Sequence, residues 1–251
     1  MRLELHDSNF QLLYNCFCML KNKLFQFRKE IQHQGAIHFI KTKITEQFYK
    51  QKFKKLAVDY GNNNSAFEKI KESSVNKDSK VNQASSYYDI KKAFAVTGMD
   101  YADIRMVDIG CGNGKVLNFG MYLNFKEVVG FDLDLSATQK ALANCNKMKQ
   151  NGSSTLFSVF QGDAASMQIP PNTNLIYLFN PFGNVTMAGV VENIIHYLRS
   201  NKKELFIVYA VPVHQALFLA HKEFIKIYER MDGANKKAEM AIFKVVAQLP
   251  T

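Results

Sequence analysis

A chain of 251 residues is long enough for one medium domain, or one domain with an elaborated terminus. Its 47% hydrophobic and 22% charged residues supply a core and exclude a disordered chain, while 13 Gly, 5 Pro and 4 Cys exclude a collagen-like repeat or a disulfide scaffold. The 32 Lys and Arg against 22 Asp and Glu give a net charge of +10. No apolar run approaches the roughly 20 residues of a membrane-spanning helix.

The basicity is uneven. Residues up to Lys80 hold 15 basic and 8 acidic side chains, and only five of the cations in the whole chain are Arg: Arg2, Arg28, Arg105, Arg199 and Arg230. Lys is a hydrated point charge, whereas Arg supplies the fork that reads bases and phosphates. A solvated Lys-rich surface is therefore weighed above a dedicated polyanion site. At the start, Arg2 is offset by Glu4 and Asp7, and no small-residue cleavage site follows Phe10–Leu20, so a secretory signal is not expected. Cys16 and Cys18 have neither a second pair nor a His cluster nearby. A reducing, cytoplasmic setting with no structural zinc is the expectation.

Residues 1–60 read as an amphipathic helical extension. Phe10, Leu13, Phe17, Leu20, Leu24, Phe27 and Ile31 recur at steps of three and four, which places them on one stripe of a helix. Gly35 interrupts. A second stripe of Ile37, Ile40, Ile44 and Phe48 follows, with Tyr49, Phe53 and Leu56 alongside and Lys41, Lys43, Lys50, Lys52, Lys54 and Lys55 interleaved. These stripes are expected to pack on each other or on the main domain, with contact to a polyanion or an anionic membrane surface as the sharper alternative. The Asn-, Ser- and Lys-rich stretch 61–86 reads as a linker or loop.

From Tyr87 to Thr251 the rhythm changes. Strand-like runs at Ile104–Ile109, Glu127–Phe131, Leu156–Phe160, Leu175–Phe179 and Leu205–Val211 alternate with helical stretches near Gly114–Leu123, Ser136–Lys149 and Val185–Leu198. Such alternation predicts an α/β fold, a parallel sheet covered on both sides. Phe224–Arg230 and Glu239–Val246, joined around Asp232-Gly233, read as an antiparallel hairpin at its edge.

Val107-Asp108-Ile109-Gly110-Cys111-Gly112-Asn113-Gly114 ends the first of these strands and opens a helix. Glycine admits the backbone angles of a tight turn there and lets a ligand lie against the main chain, while the helix N-terminus offers N–H groups to an anion. Asp132 ends the next strand 22 residues after Gly110, where a carboxylate can accept from both hydroxyls of a ribose. The glycines are spaced Gly-x-Gly-x-Gly, unlike the Gly-x-Gly-x-x-Gly of dinucleotide sites.

Across Ile104–Val246 the sequence resembles the class I S-adenosylmethionine (SAM)-dependent methyltransferases, whose first motif commonly reads (V/L)D(I/L)GCGxG. The resemblance implies a Rossmann-like, doubly wound, mostly parallel seven-stranded sheet with an antiparallel C-terminal hairpin. It also implies SAM as cofactor and S-adenosylhomocysteine as product. By that likeness Gly110, Cys111, Gly112 and Gly114 support the methionine part, and Asp108 lies near its amino group. Asp132 binds the ribose, and Leu133 lies beside the adenine. In Gln161-Gly162-Asp163-Ala164, Asp163 meets the adenine amino group.

Asn180-Pro181-Phe182-Gly183, after the fourth strand, resembles the (D/N/S)PP(Y/F) motif of amino-nitrogen methyltransferases with one proline missing. There the polar residue holds an NH2 group and the aromatic stacks on it, so Asn180, Pro181 and Phe182 are catalytic candidates, with Asn180 also at the cofactor. A second likeness is to bacterial class I methyltransferases with Asn-Pro-Phe at this place, a helical N-terminal extension and a Tyr-x-Pro-like segment. Ser86-Tyr87-Tyr88-Asp89-Ile90 would be that segment, without its proline.

Several residues also have purely structural readings. Asp134 could cap the helix near Ser136 and Asp163 a turn, and Cys111 reads as a small loop filler. His196 shares a polar helix face with Glu192 and Arg199, and His6, His33 and His38 have no metal-binding spacing. No metal is expected. His214, in the segment Tyr209 to His214 that also holds Pro212, is the candidate base should the acceptor be a hydroxyl, ahead of His221.

The leading functional expectation is transfer of the SAM methyl to an N or O acceptor on a small molecule, saccharide or protein. A nucleic-acid (adenine-N type) methyltransferase docking through the Lys-rich first third, and a non-catalytic SAM-binding module, are the alternatives.

Overall fold

The computed structural model describes residues 25, 29, 31–32, 35–61, 85–179, 182–201 and 203–246. Seven strands form one sheet: β1 (Arg105–Ile109), β2 (Glu127–Asp132), β3 (Leu156–Gln161), β4 (Leu175–Phe179), β5 (Leu205–Ala210), β6 (Phe224–Met231) and β7 (Ala238–Val245). Their order is β3-β2-β1-β4-β5-β7-β6. The first five are parallel, in the register Val107↔Val129 and Val107↔Ile176, while β7 pairs antiparallel with both β5 and β6. The expected α/β architecture is the one observed, including the C-terminal hairpin.

Central strands buried on both faces read as continuous apolar runs. In β5, Leu205–Ala210, every residue is buried. Alternate residues feed two cores. One face of the sheet is covered by α1 (Ala36–Lys55), α2 (Tyr87–Val96), α3 (Lys115–Tyr122) and α4 (Leu135–Gln150), with Met106, Val128, Tyr177 and Val208 facing them. The other is covered by α5 (Asn184–Ser200) and α6 (Gln215–Leu219), with Ile109, Ile176, Ile207 and Tyr209 beneath. Met187, Val191, Ile194, Ile195 and Leu198 of α5 are buried on the face expected from their spacing.

Helix starts follow local chemistry. Ser86 Oγ accepts from Asp89 N (3.1 Å) and caps α2, and Asp134 Oδ1 accepts from Ser136 N (2.7 Å) and caps α4.

The second apolar stripe of the extension differs from expectation. α1 does pack on the domain, but through Phe39, Tyr49 and Phe53. Ile37, Ile40, Ile44 and Phe48, expected to be the packing stripe, are 72%, 53%, 66% and 55% exposed. The helix has two apolar faces about half a turn apart. The aromatic one wins because it fits an aromatic cluster: Phe53 stacks on Tyr87 at 5.4 Å, and Tyr49 meets Phe119 edge-on at 4.9 Å.

The first stripe lies almost wholly outside the described residues, as do positions 62–84 of the expected linker. Among the described residues no helix is long and apolar enough to cross a membrane.

Candidate active site

Sheet order reverses between β1 and β4, and open parallel sheets bind ligands beyond the strand C-termini at such a point. The glycine loop follows β1 there, Asp132 ends β2, Gly162–Ala164 follow β3, and Phe182 lies just after β4. Asn180 and Pro181 lie outside the described residues.

Gly110 (φ 81°), Gly112 (φ 51°) and Gly114 (φ 82°) are all in the left-handed region open to glycine. The turn they make is tied to the next strand. Gly110 N and Cys111 N both donate to Phe131 O, at 2.8 and 2.9 Å, and Gly112 N donates to Asp132 Oδ2 at 2.7 Å. Gly114 N donates to Cys111 O at 2.9 Å, and a Cβ on Gly114 would stand 3.0 Å from the Ala141 Cβ of α4. Dinucleotide folds aim such N–H groups at a pyrophosphate. Here the fold itself uses these four.

Asp108 is 3% exposed, and its Oδ2 has no hydrogen-bond partner among the described residues. Burial, reinforced by the neighbouring Asp132 charge, pushes its carboxyl well above the usual range. Ionising a carboxyl whose buried oxygen has no partner is costly, and a cation beside it offsets part of that cost. Asp132 is also raised, by burial, against hydrogen bonds from Asp134 N and Gly112 N. Those two bonds use one lone pair on each oxygen, which leaves acceptor capacity on both for a diol.

Leu133, next in sequence, exposes an apolar side chain. Asp163 is exposed and its Oδ1 accepts from Ala165 N at 2.9 Å, the turn-capping role, while Ala164 is buried. Cys111 is buried, and burial followed by Asp108 and Asp132 pushes its thiol well up, so it stays protonated and is a filler rather than a nucleophile.

Phe182 packs against the core beneath α5. His214 precedes α6, where its N–H donates to Tyr209 Oη at 3.3 Å and its Nε2 is buried with no partner among the described residues. Tyr209 belongs to the face covered by α5 and α6, whereas strand alternation puts Asp108 with Tyr177 on the face of α1–α4. Asp108, the glycine loop and Asp132 thus lie together at the ends of β1 and β2, and His214 stands on the other side of the sheet from Asp108.

Sequence reasoning missed the part of the site that α1 and α2 supply. Glu46 Oε1 pairs with Lys115 Nζ at 2.8 Å, and its Oε2 accepts from Tyr87 N at 2.9 Å. Lys115 lies 4.1 Å over the Tyr87 ring. A cavity of about 730 Å³ opens between Glu46, Lys50, Phe53, Tyr60, Tyr87 and Lys115. It adjoins the glycine loop, because the Asn113 side chain donates to Tyr60 O and Asn144 Nδ2 donates to both Asp59 O (2.8 Å) and Asn113 O (3.1 Å).

Nearby, Tyr177 Oη donates to Ser85 Oγ at 2.5 Å. Asp89 accepts from Arg230, which also pairs with Glu239 at 2.9 Å, and lies 3.4 Å from His38 Nε2. The Ser86–Ile90 likeness pointed to this segment, whereas nothing in the sequence marked Glu46, His38 or Arg230. Among the described residues no group of three or more His, Cys, Asp or Glu could hold a metal ion.

A similar fold occurs in a candidate methyltransferase of Escherichia coli, yhhF. The likeness has a TM-score of 0.50 at 16% identity and covers 66% of this chain and 88% of that one. This chain has the class I SAM-dependent methyltransferase fold.

The chain is 40% identical over 50 residues to the ribosomal protein L11 methyltransferase of Colwellia psychrerythraea, covering 20% of this chain and 17% of the relative. It is 28% identical over 110 residues to that of Haemophilus influenzae, covering 38% and 36%. The chain thus spans little more than a third of these curated relatives at most. No protein-family model matches it.

Proposed function

We propose that this protein transfers the methyl group of SAM to a nitrogen or oxygen acceptor. The observation that carries the reading is Asp108, a buried carboxylate with an unpartnered oxygen in the strand that leads into the glycine loop. The ammonium of an amino-acid moiety is the complement it lacks. Asp132, at the end of the neighbouring strand, suits the ribose diol, and Leu133 suits the adenine face. When bound, SAM supplies a methyl on a sulfonium that is already activated. The protein's share is alignment and exclusion of water.

Asn180, with its carbonyl and the ring of Phe182, is proposed to hold the acceptor. An amine attacks through its neutral lone pair once its ammonium proton has gone to solvent, and it leaves as a methylated ammonium, so no side-chain base is assigned to it. A hydroxyl acceptor would call on one, and His214 is the residue the sequence offers. A protein amine is the favoured acceptor, because the curated relatives are named for methylation of a ribosomal protein.

The test is a screen with SAM labelled in its methyl group, against cell fractions separated into protein, RNA, polysaccharide and small molecules. Label in the protein fraction, lost with Asn180→Ala, is the expected result. Label confined to another fraction overturns the choice of acceptor, and none in any fraction overturns the activity.

A further inference from the structure

The outward face of α1 has no counterpart in the catalytic reading. Ile37, Ile40, Ile44 and Phe48 follow one another at steps of three, four and four, so they form a single apolar stripe along about three turns. All four are more than half exposed, on a helix whose opposite side is buried through Phe39, Tyr49 and Phe53. A soluble helix normally presents polar residues there. Four large apolar residues in a line are a patch, not scatter.

The charges beside the stripe identify what covers it. At about 100° per residue, Lys41 and Lys52 fall along one flank and Lys43 and Lys54 along the other, with Lys55 at its C-terminal end, while Lys50 turns toward the cavity beside Tyr87. The first five are exposed, with Lys43 Nζ also 5.0 Å from the centre of the Phe39 ring and Lys52 Nζ 5.9 Å from that of Tyr122. An apolar stripe bordered by ammonium groups on both sides is the pattern of a helix lying in a lipid interface. The stripe enters the acyl boundary, and the Lys stems reach outward to phosphates on either side.

A second apolar helix face would satisfy the stripe but not its flanks. The chain upstream of Gly35 is itself basic beside its own apolar repeat, with Lys21, Lys23, Arg28 and Lys29. Laying that repeat on α1 would bring like charges together, whereas an anionic surface neutralises both.

We infer that α1 docks this protein onto an anionic phospholipid surface through Ile37, Ile40, Ile44 and Phe48, with the flanking lysines on the headgroups. The inner face of the same helix holds Lys115 through Glu46 and reaches Asp89 through His38. Docking therefore sets the catalytic domain against the surface by way of α1.

Co-sedimentation of the full chain with vesicles tests this, using phosphatidylcholine alone and phosphatidylcholine with about 30% phosphatidylglycerol. Binding to the anionic vesicles only, weakening as salt is raised, is expected. Ile40→Glu with Ile44→Glu should weaken it by about tenfold or more, as should Lys41→Glu with Lys52→Glu. All four positions are exposed, so both variants should keep the parent's thermal transition and SAM binding.

No binding to anionic vesicles overturns the inference. So does equal binding by the Ile40→Glu, Ile44→Glu variant, which would place the contact elsewhere on the chain. A dimer in light scattering that this variant dissociates would assign the stripe to a second copy. Salt-sensitive binding to single-stranded RNA with none to anionic vesicles would assign the basic face to nucleic acid.

Discussion

Lys115 Nζ and Glu46 Oε1 stand 2.8 Å apart, and through them the first residue of α3 is held by a helix that precedes the whole sheet in sequence. The two side chains are 13% and 19% exposed, so each charge depends on the other. Desolvation lowers the Lys115 pKa, and Glu46 opposes that shift. The pair joins α1 to the end of the glycine loop, so the helical extension is part of the site's wall.

Breaking this pair leaves one charge partly buried without its partner. Glu46→Gln and Lys115→Met should each cost on the order of 2–4 kcal/mol, measured by urea unfolding. The double variant Glu46→Gln, Lys115→Met should recover most of the loss, because no orphaned charge remains. Additive losses in the two single variants and the double would refute the coupling.

Asp89 sets an acid limb for stability. Burial opposes its ionisation, but hydrogen bonds from His38 and Arg230 and the Arg230 charge outweigh it and hold the carboxyl well below the ordinary range. A carboxyl depressed in the folded state contributes stability above its unfolded value of about 3.9, and loses that contribution as pH falls toward the folded value. Asp89→Asn should therefore be less stable than the parent at pH 7, by about 2–3 kcal/mol. The gap should narrow steadily below pH 4, as followed by thermal unfolding across pH.

Asp108 has the opposite sign. Its folded pKa is raised by burial and by Asp132, so the folded state retains a proton that the unfolded chain releases above about pH 4. Asp108→Asn, which copies the neutral form, should match or exceed the parent's stability at pH 7. It should also weaken SAM binding by at least about tenfold, or 1.4 kcal/mol. A variant that is both less stable and equally good at binding SAM would remove Asp108 from the site.

Asp132→Ala removes the proposed ribose acceptor together with the tie to Gly112 and Asp134. Calorimetry should show SAM affinity lowered by roughly tenfold or more. Asn180→Ala should instead spare SAM affinity and lower turnover on the order of 10²-fold, because it acts on alignment of the acceptor. Equal turnover by Asn180→Ala would take it out of the catalytic set.

Strands, helices and the glycine loop were legible because each leaves a local trace: a short apolar run, a three-four spacing, or glycines where φ must be positive. Leu175–Phe179 was bounded to the residue from such a run. α1 misled because both of its faces are apolar. Periodicity selects a stripe, but only the shape of the partner decides which stripe is buried. Glu46, partly buried on its inner side, carries no mark in the sequence, because its partners Lys115 and Tyr87 N come from distant parts of the chain. Arg230 and Asp89 are 141 residues apart, and Tyr177 and Ser85 are 92 apart. Pairings of that kind are made by topology and leave no pattern in the sequence.

The central claim is that the pocket around Asp108, the glycine loop and Asp132 binds SAM. Titration calorimetry of the full chain, run at pH 7 in two buffers of different ionisation enthalpy, tests it most directly. The prediction is one SAM per chain with a dissociation constant on the order of 1–100 μM. Proton release on binding should accompany it, as Asp108 ionises against the ligand's ammonium. Absence of binding at millimolar SAM would contradict the account.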